Sequence, residues 1–236
     1  MPELGEGDEL GRLIAQAGSP RADDVVVISQ KAVSKVEGRI RRLDEVEPGP
    51  EARRLAARLD KDAALVELIL EESASVLRAE RGVLITETRD GWICANAGID
   101  SSNVPSGWVS LLPLDADASA RRIRDEIAAA SGASPAVVIA DSFGRAWRLG
   151  QADLAIGCAG LTPLADWRGR EDRQGNQLSA TVIAVADELA SAADLAREKD
   201  SGAPAVIVSG IAEAVSREHG PGAAMLRRPA QDDLFR

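Results

Sequence analysis

"VVIADSFGRAWRLGQADLAIGCAG", residues 137–160, is the stretch on which the fold turns. An apolar, β-branched run stops at Asp141 and Ser142. A glycine, two arginines and a second glycine follow before the chain turns apolar again. Short apolar runs bounded by turn residues read as buried strands, so "AVVIA" and "DLAIGCAG" are two strands with a polar connection between them. This reading sets a carboxylate and a hydroxyl at the end of a buried strand.

Outward from there, Val25 to Ser29 follows two aspartates and reads as another buried strand, and "AVIVSG" reads as a last one. From Pro50, "EARRLAARLDKDAALVELILEES" sets Leu55, Leu59, Ala63, Leu65, Val66 and Leu70 mostly three or four residues apart, which predicts an amphipathic helix. "GVLITET" and "GWICANAG", joined by "RDG", predict a hairpin. "ADASARRIRDEIAAASG" predicts a helix with Ala120, Ile123, Ile127 and Ala130 on one face, Asp115 or Asp117 as its cap and Gly132 just past its end. "SATVIAVADELASAADLAR" stacks Val182, Ala186, Leu189, Ala193 and Ala196 at helical spacing. Hairpin signals rather than regular βαβ alternation point to an α+β fold with mixed, largely antiparallel sheets and packed helices. "DWRGREDRQGNQL" and "EKDSGAP" are polar, glycine-bearing loops of the kind that hold ligands.

With 236 residues, 45% of them hydrophobic, the chain has material for a sizeable core, read as one domain over 1–236 and open to division into two subdomains. The formal charge of −10 and the lack of a basic tract with interleaved aromatics exclude a nucleic-acid groove. The acidic start "MPELGEGDEL" is unlike a signal peptide, and no run approaches the ~18 apolar residues of a membrane span, so no membrane partner and a cytoplasmic location are expected. Cys94 and Cys158 stand far apart without C-x-x-C spacing and are expected to be buried thiols.

The phosphate-loop, dinucleotide, zinc-protease and nucleophile-elbow motifs are all missing, and the single histidine, His219, rules out most His-based metal sites. The chemistry falls to carboxylates, hydroxyls, lysines, arginines and backbone amides, with a hard cation such as Mg²⁺ or Mn²⁺. Asp100 in "NAGIDSSNV" and Asp141 in "IADSFGRAWRLG" each stand beside small hydroxyl residues where an apolar segment ends. Magnesium takes one or two protein carboxylates, so Asp100, Asp141 and Ser142 would suffice. Taken alone, each segment reads more readily as local structure, Asp141 as a cap or turn residue and "DSSN" as an Asx turn. Trp92, Trp108, Trp147 and Trp167 read as packing rather than ring-stacking residues. Asp187 and Glu188 lie on a helix whose acidic face is either solvated or buried for a purpose, and Glu171 and Asp172 lie in a polar loop.

Several segments in order, "VVVISQKAVSKVEGR", "ICANAGIDSSNV", "VVIADSFGRAWRLGQADLAIGCAGL", "DRQGNQL" running into "TVIAVADELASAADL", "GAPAVIVSG" and "RRPAQDDLFR", span nearly the whole chain. Together they resemble the coenzyme F420-0:L-glutamate ligase family. The resemblance implies an enzyme that attaches L-glutamate to the lactyl carboxylate of F420-0, with GTP cleaved to GDP and phosphate, through an acyl phosphate, and with further γ-linked glutamates as an extension of the same reaction. It implies a cytoplasmic, intertwined homodimer. It also implies a divalent cation, Mg²⁺ or Mn²⁺, held by Asp100, Asp141 and Ser142, with a monovalent cation such as K⁺ left open.

By the same resemblance Asp141, Arg145 and Lys35 are the catalytic candidates, with Arg148 as a second arginine for an anionic substrate. Nucleotide contacts are expected from Pro2, Glu3, Leu4, Gln30, Lys35, Asn103, Lys199, Asp200, Ser201, Gly202, Ala203 and Pro204. The family pattern sets about ten further residues, forming a first strand, before the segment matched by "MPEL", and more often has serine at position 30. Some relatives carry a C-terminal nitroreductase-like domain; this chain, ending at "DDLFR", is expected to be the stand-alone ligase. Two other readings stay open: a metal-dependent GTPase or kinase for another small carboxylic acid, and a non-catalytic deazaflavin- or nucleotide-binding module, which would not need Asp100, Asp141, Ser142 and Lys35 together.

Overall fold

Four successive β-branched residues make β1 (Val25–Ser29), and their alternation sends Val26 and Ile28 to one side of a sheet and Val25 and Val27 to the other. All four are fully buried, so helices must cover both faces. The structure, a computed structural model, describes residues 1–197 and 202–234.

In chain order the other main elements are α1 (Leu10–Gly18), ahead of β1, then α2 (Gln30–Val36), β2 (Ile40–Arg42), α3 (Pro50–Leu59), α4 (Ala63–Glu71), β3 (Ser73–Glu80), β4 (Val83–Thr88) and β5 (Ile93–Ala95). After these come β6 (Trp108–Ser110), α5 (Ala116–Ser131), β7 (Ala136–Arg145), β8 (Arg148–Ala159), β9 (Ala165–Asp166), β10 (Val182–Ile183), α6 (Val185–Ala196) and β11 (Ala205–Val208). The central sheet runs β11-β1-β7-β8, and among the described strand pairs only β1 with β7 is parallel. The expected α+β class with mixed, largely antiparallel sheets is therefore what forms.

One face of the sheet packs Val26, Ile28, Val137 and Ile139 against Leu10 and Ile14 of α1, Val33 of α2 and Ile123 and Ile127 of α5. The other packs Val25, Val27 and Val138 against Ala186, Leu189 and Ala193 of α6 and Ala223 of the C-terminal segment. A third core gathers Leu55, Leu59, Val66 and Ile69 of α3 and α4 with Leu84, Ile99, Val109 and Leu111. Gly157 lets β8 come close under α5, since a Cβ there would stand 2.3 Å from the Ala116 carbonyl oxygen. No helix among the described residues is long and apolar enough to cross a membrane.

Several sequence expectations need correction. The helix expected from Pro50 onward is two helices, because Asp60 ends α3 in the left-handed region (φ 53°) and Asp62 caps α4 by accepting the Leu65 amide at 3.0 Å. Val182 lies in β10, ahead of α6, while Ala130 and Ala196 stay exposed at the ends of their helices. Asp115, not Asp117, caps α5, accepting the Ala118 amide at 2.8 Å, and Gly132 ends it as expected. Asp117 instead accepts the amides of Cys158 and Ala223, tying α5 to β8 and to the C-terminal segment. Strand β3 carried no sequence signal: most of its residues are exposed, and its turn into β4 uses Arg81 and Gly82, both left-handed. Both cysteines are buried free thiols, as expected.

Asp141 is not at a strand end. β7 and β8 form one long hairpin paired from Val137↔Ala159 to Arg145↔Arg148, with register shifts after Ile139 and after Gly144, and β1 stops at Ser29, opposite Ala140. From Asp141 onward β7 leaves the central sheet with β8 alone beside it. The apolar run ends where the flanking strand ends, because only the part covered on both faces must be apolar.

Candidate active site

The site forms where three chain crossings meet at that strand exit. β1 turns into α2 at Ser29, whose amide donates to the Pro204 carbonyl at 2.9 Å and so seats residues 202–204 beside the helix start. Asp100 arrives from the third-core region through Asn96, Ala97 and Gly98, all at positive φ, and locks to Ser110 through two backbone hydrogen bonds of 3.1 and 2.8 Å. A Cβ on Gly98 would fall 2.6 Å from the Leu112 side chain, so the bend fits only glycine.

A cleft of about 310 Å³ opens between these segments. Its walls bring together most of the expected nucleotide residues, Pro2, Glu3, Leu4, Lys35, Asn103, Gly202, Ala203 and Pro204, and the expected cation ligand Ser142. The walls also include Ser29, Lys31, Ser102, Asp194 and Arg197, which sequence reasoning missed. Gln30 is not among the lining residues: it is fully buried in α2, where its Oε1 accepts the Ser34 hydroxyl at 2.9 Å. Arg145 and Arg148 sit at the exposed tip of the β7–β8 hairpin, and Arg145 donates to the Leu149 carbonyl at 2.8 Å. Lys199, Asp200 and Ser201 lie outside the described residues.

Charge is concentrated around Lys31. Its Nζ lies 2.6 Å from Asp100 Oδ2, and Asp100 also accepts the Ser102 amide at 2.7 Å and the Ser102 hydroxyl at 2.8 Å. Burial works to raise the Asp100 carboxyl, but Lys31 and Ser102 together outweigh it and hold the group below the usual carboxylate range. Asp141 goes the other way. Burial, helped by the charges of Asp153 and Asp100, pushes its carboxyl up to about 7 against the opposing pull of Lys31 and the Ser142 amide. Burial and the Asp141 charge together push the Cys94 thiol up to about 12, which leaves it inert. At the cleft mouth Lys35 Nζ pairs with Glu3 Oε1 at 2.8 Å, joining α2 to the N-terminal segment.

Behind the lining, Ser142 Oγ donates to Asp153 Oδ1 at 2.6 Å, and Asp153 Oδ2 is paired with Arg197. Asp153 had a sequence signal: if the hairpin is read across the whole opening stretch, it falls opposite Ser142. Lys31 had none beyond its place at a strand-to-helix junction. Asp187 accepts the Ala155 amide at 2.9 Å and so braces β8, whereas Glu188 is exposed. In the exposed 166–178 loop, Asp172 closes a turn by accepting the Gln174 and Asn176 amides, and Glu171 bridges to Gln177. None of the four tryptophans lines the cleft; Trp92, Trp108 and Trp167 instead face Arg227, Arg42 and Arg170 at 5.5, 5.5 and 5.2 Å.

Among the described residues no three His, Cys, Asp or Glu side chains gather closely enough to hold a metal ion by themselves. The oxygens of Asp100, Asp141 and Ser142 remain. Two carboxylates and a hydroxyl are hard donors of the number Mg²⁺ or Mn²⁺ takes from protein, so the donor set fits such a cation.

A cleft with Lys31, Lys35 and Arg197 on its walls is equipped for a phosphate-bearing anion; of the expected cation ligands Ser142 lines it, while Asp100 and Asp141 are not among its lining residues and meet it through Lys31, which lines the cleft and pairs with Asp100. A sequence model described as F420-0:Gamma-glutamyl ligase matches residues 1–210. The chain is 44% identical over 242 residues to the coenzyme F420:L-glutamate ligase of Methanothermobacter thermautotrophicus, covering 100% of this chain and 96% of that one. It is 44% identical to the enzyme of the same name from Methanopyrus kandleri, over 98% and 92% of the two chains, and 42% identical to that of Archaeoglobus fulgidus, over 89% and 85%. The chain belongs to the F420-0:gamma-glutamyl ligase family.

Proposed function

We propose that this protein is a ligase that forms an amide between L-glutamate and the lactyl carboxylate of coenzyme F420-0, with GTP as the activating co-substrate. The family membership and the names of its relatives support the ligase and its two substrates. The observation that carries the GTP reading is one cleft that gathers Pro2, Glu3, Leu4, Lys35, Asn103 and Gly202 to Pro204 beside Ser142, segments up to two hundred positions apart in the chain.

A carboxylate does not condense with an amine at neutral pH, so it must first gain a leaving group. In this scheme a carboxylate oxygen of F420-0 attacks the γ-phosphorus of GTP and GDP departs, leaving an acyl phosphate. The glutamate amine then attacks the acyl carbon, phosphate leaves and the amine loses its proton. Such transfer rests on positioning and on neutralising phosphate charge. Lys31 and Lys35 supply positive charge on the cleft walls, Asn103 and the amides of Gly202 and Ala203 hold the nucleotide, and Ser142 keeps the wall beside them polar. A divalent cation, Mg²⁺ or Mn²⁺, held by Asp100, Asp141 and Ser142, would neutralise phosphate oxygens, and K⁺ is a further candidate ligand.

Arg145 belongs to this scheme only if the hairpin tip meets substrate or a second subunit. A homodimer is supported by that tip, where Trp147 is 76% and Leu149 99% exposed on an arm that projects beyond the sheet. Incubation with F420-0, L-glutamate, GTP and Mn²⁺, each omitted in turn, tests the proposal by mass spectrometry of the deazaflavin. A glutamyl gain that needs all four components is expected. GTP consumption without glutamyl gain would assign the site to another acid, and no turnover at all would point to a binding module.

A further inference from the structure

Asp153 stands directly across the β7–β8 ladder from Ser142, so the two side chains share a face of the hairpin. Its side chain is 1% exposed, and both of its carboxylate oxygens are engaged. One accepts the Ser142 hydroxyl at 2.6 Å; the other is paired with Arg197, the residue that follows α6. Its backbone carbonyl accepts the Ser191 hydroxyl at 2.9 Å, which pins the middle of α6 to the same point of β8. Ser142 and Arg197 both line the cleft, and Asp153 does not. Arg197 Nη1 has no acceptor among the described residues, so Asp153 is the anchor the structure provides for this guanidinium.

A hydroxyl carries one proton and two lone pairs. With the proton of Ser142 committed to Asp153, the lone pairs are left for the cleft side, as a cation ligand requires. We infer that Asp153 is a positioning residue: it presents Ser142 Oγ as an acceptor and holds Arg197 in the cleft wall. It meets neither substrate nor cation, and it couples the cation end of the site to the segment on the nucleotide side. This rests on the reading of Asp100, Asp141 and Ser142 as a divalent-cation site.

Asp153→Asn tests it, because the amide keeps the shape, removes the charge and offers an N–H that turns the serine proton around. Titration of Mn²⁺ into the nucleotide-free protein, followed by electron paramagnetic resonance, reads the cation site without turnover. Binding about tenfold weaker than in the wild type is expected, the size typical of losing a group that orients a metal ligand. The circular dichroism spectrum is expected to stay unchanged, and kcat to fall while KM for L-glutamate moves by less than about twofold. The double variant Ser142→Ala/Asp153→Asn is expected to bind Mn²⁺ no more weakly than Ser142→Ala alone.

A folded Asp153→Asn protein with wild-type Mn²⁺ affinity would overturn the inference. Should that variant not fold, Arg197→Gln takes its place: with one oxygen released, the carboxylate is free to turn from Ser142, so weaker Mn²⁺ binding restored by Arg197→Lys is expected, and unchanged affinity in Arg197→Gln overturns the inference. Failure of the wild type itself to bind Mn²⁺ would overturn the cation reading and the inference with it, a result distinct from loss in the variant alone.

Discussion

Lys31 Nζ lies 2.6 Å from Asp100 Oδ2, and the same ammonium draws on Asp141, so one side chain of the cleft wall serves two aspartates from different layers of the fold. Asp100 hangs from the β6 region and Asp141 from the exit of the central sheet. Lys31, one residue into α2, is the side chain between them.

Lys31→Met is expected to lower kcat/KM for GTP by about tenfold or more, the scale of losing a hydrogen bond to a charged group in a partly buried site. Steady-state kinetics checks this, with circular dichroism as the control for fold. Unchanged kcat/KM would remove Lys31 from the phosphate end of the cleft.

The raised Asp141 carboxyl has a consequence for stability in the cation-free protein. Its folded pKa, about 7, lies above the ordinary 3.8, so the folded state favours the protonated form. Its contribution to stability is therefore full below the ordinary value and falls as pH rises, levelling off above about 7. Asp141→Asn stays neutral throughout. The variant is expected to match the wild type near pH 4 and to exceed it increasingly up to about pH 7, as measured by urea unfolding in EDTA. A difference that does not grow with pH would refute this.

Arg124 is a buried guanidinium that serves backbone oxygens. It donates to the carbonyls of Pro135 at 2.9 Å, Ser216 at 2.7 Å and Arg217 at 3.2 Å, joining α5 to the C-terminal segment. Arg124→Met would leave these acceptors without donors, and a loss on the order of 3 kcal/mol is expected. Limited proteolysis should then cut first near residues 216–224, and unchanged protection there would contradict the role.

Gly157→Ala puts a methyl group 2.3 Å from the Ala116 carbonyl oxygen, where backbone rather than a flexible side chain must yield. A destabilisation of about 1–3 kcal/mol by thermal unfolding is expected. Since β8 also carries Asp153, weaker Mn²⁺ binding should accompany it.

Much of this was legible in one dimension. The buried strand β1, the half-buried strand β11, the stop of α5, the hairpin around Gly91 and the two buried thiols follow from local periodicity and turn chemistry, which act over a few residues. The break at Asp60 was hidden because apolar residues continue in step on both sides of it, so the period survives although the helix does not. Strand β3 was hidden because an exposed strand needs no alternation.

The site divided along the same line. Sequence alone marked Asp100, Asp141, Ser142, Lys35 and Asn103, since short polar segments after apolar runs stand out and the family resemblance spans them. It could not show that Gln30 turns into the core, or that Lys31 and Arg197 join Asp100 and Asp153 in one charge network. Those outcomes depend on which residues lie opposite one another across a ladder and on where β1 stops beside β7. Such juxtapositions are set by long-range packing between segments far apart in the chain, and no local pattern encodes them.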